Sequence, residues 1–430
     1  MNRFVRNDAI EFGSEEIVRT TQDDLLRRHI QYCQGNSPVY KERLAGVDTS
    51  RIRIDSLRTL PLTDKNEISE RNSEFMAVEP AHVADIVFSS GTTGVPTQVI
   101  YTERDLERLS YNEERSFAAC GIEASDIVLL TCTMDRCFIA GLAYFLGARA
   151  IGAAAIRNGH GTLEGHYDVI RRVNPTTVIG VPSFLRKLGG YLVKQGMDLP
   201  AASVNKLVCI GEPLRDAAMH PLLVATELES LWGAKVFSTY ASSETVTTFC
   251  ECTEQSGGHI HPALGLVEIL DEEGTPVPDG EPGEVVVTPF DVQGMPLIRF
   301  RTGDISFVNR QPCRCGRTSP RLGPIIGRRN QLLKVRGTSL YPQAVFSALD
   351  EMPEVSEYYL EVHAEDALSD RLVIHLAFSA RPVEVEVLLR RLQARLRVKP
   401  EVIVEPIESI RRVVFTPKSR KPVRFIDLRG

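Results

Sequence analysis

Apolar residues keep a helical rhythm at the start of this chain and then abandon it. Leu25, Leu26, Ile30 and Cys33 recur at the spacing of one helix face. Thr21 or Gln22, followed by Asp23 and Asp24, reads as a helix start with acids in the first turn. The chain is therefore expected to be helical up to about residue 80. From about Asp85, short apolar runs alternate with amphipathic stretches. Residues 86–88, 127–130, 177–180 and 207–210 are expected to be buried strands, with helical segments such as 167–173 between them. That alternation predicts an α/β domain with a largely parallel sheet. The most apolar stretch, 138–156, contains Arg149, Gly141, Gly147 and Gly152. A membrane span needs about 20 mostly apolar residues, so the stretch reads as a buried helix running into a core strand.

After Gly257 the pattern becomes β-rich at 267–270, 283–288 and 297–300, with turns at 271–274 and 278–280. A small β-barrel or β-subdomain is expected there. The tail predicts a strand at 332–335, a helix at 342–349 and half-buried strands at 355–363 and 372–378. Val385, Leu388, Leu389, Leu392 and Leu396 then mark another helix. Such a β-α-β-β-α unit, of about 100 residues, is large enough to fold alone. The predicted architecture is α/β. A large N-terminal domain, residues 1–328, carries mostly parallel sheets and a β-subdomain, and a small α+β C-terminal domain occupies residues 329–430.

Composition narrows the function classes. The 430 residues are 43% hydrophobic and 25% charged, ordinary for a soluble globular protein. Fifty Lys+Arg against 56 Asp+Glu leave a net charge of −6, which disfavours a dedicated nucleic-acid binder. No apolar run follows the basic residues of the N-terminus, so neither a secretory signal nor a membrane partner is expected. Nine cysteines, an odd number without a signal, point to a reducing compartment and a cytoplasmic protein.

The candidate chemistry begins directly after the 86–88 run, at Ser89, Ser90, Gly91, Thr92, Thr93 and Gly94. Two glycines let the backbone turn tightly and aim successive N–H groups inward, and the hydroxyls add donors, a combination suited to phosphate oxygens. The loop lacks the Gly-Lys-Ser/Thr ending of a P-loop. Taken alone, it could also be a polar hairpin turn.

Five further motifs follow: Gly211-Glu212-Pro213, Tyr240-Ala241-Ser242-Ser243-Glu244, Arg301-Thr302-Gly303-Asp304, Gly327-Arg328 and Lys421. With the 89–94 loop, and in this order, they resemble the signatures of the adenylate-forming superfamily. Residues 313–317, Cys-Arg-Cys-Gly-Arg, and 421–427 are most similar to its phenylacetate–CoA ligase branch. The resemblance spans about residues 85–427. It implies an AMP-forming acid–CoA ligase using ATP and Mg²⁺ on an aryl or arylacetic acid, through an acyl-adenylate. A carboxylate resists attack by a thiol, and AMP supplies the leaving group it lacks.

The resemblance also assigns roles. Asp304 grips the ribose hydroxyls, Glu244 holds Mg²⁺, Tyr240 stacks on adenine and Ser243 donates to the α-phosphate. Glu212 lines the adenine pocket through its backbone more than its side chain. Arg328 approaches the α-phosphate or ribose, and Lys421, preferred to Lys418, stabilises charge growing in the transition state. The small domain is expected to rotate between half-reactions about Asn330, where the family usually has Asp or Lys. Ala241 and Ser243 replace a usual Gly and Thr, and Val95 stands where the branch often has Lys. Phe138, Ala140, Val181, Pro182, Ser183, Phe184 and 212–214 could border the acid's side chain.

A metal site is expected as well. Cys250, Cys252, His259, His261, Cys313 and Cys315 are dense enough in thiols and imidazoles for tetrahedral zinc, with Gly316 turning the Cys-x-Cys pair. The selection Cys252, His259, Cys313 and Cys315 matches ligand positions in some relatives of the branch, with Cys250 or His261 as open substitutes. Four protein ligands would make the zinc structural. The expected partners are a small carboxylic acid, ATP and coenzyme A, with a homodimer left open. Two rivals stand: an adenylating enzyme that loads a carrier-protein thiol, and a zinc-stabilised scaffold without catalysis.

Overall fold

A computed structural model describes residues 4–89, 97–335, 337–365, 369–379, 382–416 and 422–429. The chain divides into two compact units, one of residues 1–302 and 306–325, the other of 303–305 and 326–430. Residues 303–305 go with the second unit because Asp304 and Ile305 pair in register with Arg328 and Gly327. Among the described residues no helix is long and apolar enough to cross a membrane.

The first unit opens with short helices, as the periodicity implies. The main one, Glu15–Asn36, starts earlier than expected. Ser14, not Thr21 or Gln22, accepts the capping hydrogen bond from the Ile17 amide, and Glu15 and Glu16 fill the first turn. The Thr21 region lies one turn and more inside the helix, where half-buried Asp23 accepts from the Ile54 amide at 2.8 Å and Asp24 is exposed. Leu26, Ile30 and Cys33 form its buried face.

A six-stranded sheet forms the centre of this unit. From edge to edge its strands are Ala154–Arg157, Ile127–Leu130, Thr177–Gly180, Lys206–Ile210, Lys235–Ser242 and Thr247–Cys250. All neighbours are parallel except the last pair. Side chains alternate across the sheet. Leu129, Val178, Leu207 and Val236 pack with Trp232 and the helices on one face. Val128, Leu130, Ile179, Val208 and Phe237 pack with Phe117 and Tyr144 on the other. Burial on both faces is why these strands read as unbroken apolar runs.

Three sequence expectations need correction. The 86–88 run belongs to a separate antiparallel hairpin, Asp85–Ser89 with Thr97–Tyr101. Ile86 and Phe88 are 46% and 40% exposed, so the run is half-buried, not a core strand. The strand after the apolar helix Ile139–Ile151 is an edge strand, partly exposed, because nothing pairs its outer side. In the β-rich region the third strand is Phe300–Ser306, and 297–299 form the buried entry to it.

The second unit has a four-stranded sheet ordered Glu401–Val404, Asp370–Phe378, Val355–Ala364 and Phe425–Leu428. Its central pair is antiparallel and both edges are parallel additions. Helices Pro342–Asp350 and Val385–Leu396 contribute Val345, Leu349, Leu388 and Leu392 to one core. The amphipathic helix Ile407–Val414 covers the other face through Ile410 and Val414. The β-α-β-β-α pattern is present and is completed by the 401–404 strand, that helix and the last strand.

Candidate active site and metal centre

The Lys235–Ser242 strand carries Tyr240, Ala241 and Ser242 at its C-terminal end, the end at which open parallel sheets present ligand crevices. Tyr240 is half-buried and stacks on Phe249 with ring centroids 6.1 Å apart. Ser243 and Glu244 follow in the turn to the returning strand. Glu244 is only 6% exposed, and its Oε1 lies 2.7 Å from the Lys65 ammonium. The Ser242 hydroxyl donates to its other oxygen at 2.8 Å. Burial alone would raise the Glu244 carboxyl. The charge and hydrogen bond of Lys65 outweigh burial and hold it below the usual carboxylate range.

The turn that carries Glu244 is clamped from behind. The Tyr101 hydroxyl donates to the Ser243 carbonyl at 2.7 Å. Val246 has φ of 52°, a conformation a β-branched residue adopts only under constraint. The buried Arg108 guanidinium supplies that constraint by donating to the Val246 carbonyl, to Thr247 Oγ1 at 3.3 Å and to the carbonyls of Leu264 and Phe290. Burial pushes Arg108 down to about 10, which leaves it charged at neutral pH. None of Lys65, Tyr101 and Arg108 carries a signal in the sequence. Each acts across more than a hundred residues or through backbone atoms.

Gly211, at φ of 74°, turns the chain out of the Lys206–Ile210 strand. Glu212 then places both carboxylate oxygens on Ser183, accepting from its amide at 2.9 Å and its hydroxyl at 2.7 Å. The side chain thus caps the helix Pro182–Lys194, as an acid does at a helix N-terminus. This leaves the 211–213 backbone, not the Glu212 carboxylate, to face a ligand. Pro213 is half-buried beside it. Leu214 is fully buried in the core, so it does not border an acid pocket. Phe184 packs edge-on against His166 at 5.3 Å and stacks with His160 at 6.3 Å.

In the second unit Asp304 and Arg328 are cross-strand partners, with Nε 3.1 Å from Oδ1. Asp304 is 9% exposed, whereas Arg328 is exposed, so the carboxylate is the more firmly held of the two. Asn330 lies in the exposed turn Arg329–Gln331, and its carbonyl accepts from Arg429 at 3.3 Å. Ser89 ends the first hairpin strand. Ser90, Gly91, Thr92, Thr93, Gly94 and Lys421 lie outside the described residues.

Cys252, His259, Cys313 and Cys315 converge so that their ligand atoms all lie within 4.8 Å of one another. Cys252 and Cys313 sulfurs are 3.6 Å apart, and Cys315 Sγ is 3.4 Å from His259 Nε2. The Ser319 hydroxyl engages His259 Nδ1 at 2.9 Å, which directs Nε2 toward the sulfurs. Burial, with Arg317 and Arg321 nearby, pushes His259 down to about 3 and keeps its imidazole neutral. Gly316, at φ of 86°, closes the turn between Cys313 and Arg317. Glu11 fastens this loop by pairing with Arg317 at 3.0 Å. The other two candidates are engaged elsewhere. Thr239 donates to Cys250 at 3.2 Å, and His261 bonds Tyr111 at 3.0 Å and the Ala263 amide at 3.2 Å. Three sulfurs and one imidazole, mostly buried and with an outer hydrogen bond on the imidazole, fit tetrahedral zinc.

The chain is similar to proteins of known activity. The family model described as AMP-binding enzyme matches residues 26–289. A phenylacetate-coenzyme A ligase of Thermus thermophilus is 32% identical over 84% of this chain and 82% of its own. One from Escherichia coli K12 is 28% identical over 98% of each chain. The solved structure of a 2-hydroxyisobutyryl-CoA ligase, in its postadenylation state with 2-HIB-AMP, aligns with a TM-score of 0.85. It covers 99% of this chain and 94% of its own at 21% identity, a likeness of fold.

Proposed function

The chain belongs to the AMP-binding enzyme family, in its phenylacetate–CoA ligase-like branch, and from that premise we propose how its residues divide the work of an acid–thiol ligase. The protein is an AMP-forming acid–CoA ligase acting through an acyl-adenylate. In the first half-reaction a carboxylate oxygen bonds to the α-phosphorus of ATP while the α–β anhydride breaks and pyrophosphate leaves. In the second, the sulfur of coenzyme A bonds to the acyl carbon, its proton passes to solvent, and AMP departs with the electrons of the broken C–O bond. Arylacetic acids are the substrate class.

The observation that carries the site assignment is Glu244, a carboxylate 6% exposed and held below the usual carboxylate range in the turn after the Lys235–Ser242 strand. A buried charge is costly unless it is used or paired. Oxygen donors suit Mg²⁺, which Glu244 would hold and which would offset the charge of the phosphates. In the same reading Tyr240 offers a ring face to adenine, Ser243 a hydroxyl to the α-phosphate, and the 89–94 loop its amides to the outer phosphates. Asp304 accepts from the ribose hydroxyls and Arg328 reaches the α-phosphate. Residues 329–430, hinged at Asn330, bring Lys421 to the reacting carboxylate. Cys252, His259, Cys313 and Cys315 would hold a structural zinc that ties the loop after the Thr247–Cys250 strand to 313–315.

Two measurements test these roles. Purified protein should exchange labelled pyrophosphate into ATP only when an aryl or arylacetic acid is present, and should form AMP and a thioester once coenzyme A is added. Exchange that is absent across a broad panel of carboxylic acids ends the ligase reading. For the metal, protein prepared without added zinc should contain about one zinc per chain. Serine at Cys313 or Cys315 should remove it and lower the melting temperature, whereas serine at Cys250 should leave the metal in place. A zinc content near zero in the wild type rejects the site.

A further inference from the structure

The N-terminal helical region places one lysine with unusual care. Lys65 opens the helix Lys65–Glu70, capped by Asp64, whose carboxylate accepts from the Glu67 amide at 2.9 Å. Just before it, Thr63 is fully buried and welded to the 298–301 segment. Its amide donates to the Arg299 carbonyl at 3.1 Å, and its carbonyl accepts from the Arg301 amide at 2.8 Å. Its hydroxyl shares hydrogen bonds of 2.8 Å with Tyr40 and with the Ile298 carbonyl. Just after it, the Ser69 hydroxyl bonds Thr97 Oγ1 at 2.6 Å, and Asn72 donates to the Gln98 carbonyl at 2.8 Å. The helix is therefore fixed at both ends, and its far end grips the strand that leaves the glycine-threonine loop.

Ser89 and Thr97 pair in register, so the two ends of that loop meet at one place. The loop between them, Ser-Gly-Thr-Thr-Gly-Val-Pro at 90–96, contains no basic residue. A triphosphate carries several negative charges, and amide donors alone offset them poorly. Lys65 lies between the loop's exit strand and Glu244, its ammonium 2.7 Å from the carboxylate and its side chain 19% exposed. An ammonium has three donors on a flexible four-carbon stem, so it can hold a carboxylate and a phosphate oxygen together.

We infer that Lys65 is the fixed cation of the adenylation site, contacting the β- and γ-phosphates of ATP, and hence the departing pyrophosphate, in place of a lysine in the loop itself. The inference rests on the ligase reading. It gives the N-terminal helices a catalytic purpose: they deliver to the phosphates a charge that stays in position whichever half-reaction is under way.

The test measures nucleotide binding by calorimetry in buffer stripped of magnesium, so that no metal mediates the contact. Lys65→Met should weaken ATP by about tenfold or more, the worth of a charge-assisted phosphate contact, and leave AMP within about twofold. Its KM for pyrophosphate in the exchange reaction should rise by a similar factor. Lys65→Arg should recover most of the ATP affinity. Because Lys65→Met strands the Glu244 charge, the comparison is repeated in a Glu244→Gln background, where both variants lack the buried charge. There K65M should again cost ATP about tenfold. If E244Q restores ATP binding to the Lys65→Met protein, Lys65 only neutralises Glu244 and the inference fails. Equal losses for ATP and AMP, or an arginine variant as weak as methionine, also overturn it. A wild type that binds no ATP overturns the ligase reading as well. A wild type that exchanges pyrophosphate with Lys65→Met indistinguishable from it overturns this inference alone.

Discussion

Replacing Glu244 with glutamine is expected to lower acid-dependent pyrophosphate exchange by about 10²–10³-fold at saturating Mg²⁺, the range seen when one preorganised electrostatic group is lost at a reacting centre. The substitution keeps shape and one acceptor but removes the charge. The Ser242 hydroxyl can still donate to the amide oxygen, so the turn held by Tyr101 and Arg108 should persist. What changes is the attraction for a divalent ion, which falls steeply when a carboxylate becomes an amide. Removing one partner of a buried ion pair can cost about 3–5 kcal/mol of stability. The figure is an upper bound here, because the Lys65 side chain keeps 19% exposure and some of its hydration. Melting temperature must therefore be followed beside activity, and the K65M/E244Q protein separates the two effects. If the single variant melts within a few degrees of wild type and still exchanges at more than about a third of its rate, Glu244 does not serve the metal.

Alanine at Lys421 should separate the two half-reactions. Exchange is expected to fall by about 10²–10⁴-fold, while thioester formation from a synthetic acyl-adenylate stays within about threefold. The physical reason is where charge grows. Forming the adenylate crowds negative charge on the carboxylate and α-phosphate, which under the proposed role the Lys421 ammonium would offset. Attack of the thiol on the finished adenylate takes place after that charge has been distributed. Among the described residues, the Val423 amide donates to the Val414 carbonyl at 2.8 Å, and the Phe425–Leu428 strand adds in parallel to Val355–Ala364. Lys418→Ala serves as the control, with near wild-type exchange expected. Loss of both half-reactions together in Lys421→Ala, or the full loss in Lys418→Ala instead, refutes the assignment.

Much of the fold could be read along the chain because burial imposes a local rhythm. The runs at 127–130, 177–180 and 207–210 are parallel strands covered on both faces, so each is apolar without interruption. The 86–88 run looked the same for its first three residues and is half-exposed, because a short hairpin strand and a core strand share composition and differ only in what packs on them. The start of the first long helix was missed for a related reason: Ser14 and the acids at 15 and 16 form a better cap than Thr21 but precede the apolar face.

Short stretches of the chain suffice to identify the family, the order of the nucleotide motifs and the residue types able to hold phosphate, magnesium or zinc. Those properties belong to short segments, whose turns and donors are set by neighbouring residues. Which donors meet depends instead on long-range packing. It pairs Lys65 with Glu244 and Glu11 with Arg317, turns Glu212 onto a helix end, and sets Cys250 and His261 apart from the converging Cys252, His259, Cys313 and Cys315. Contacts of that kind join residues far apart in the chain. Their energies depend on burial and geometry that no local pattern encodes.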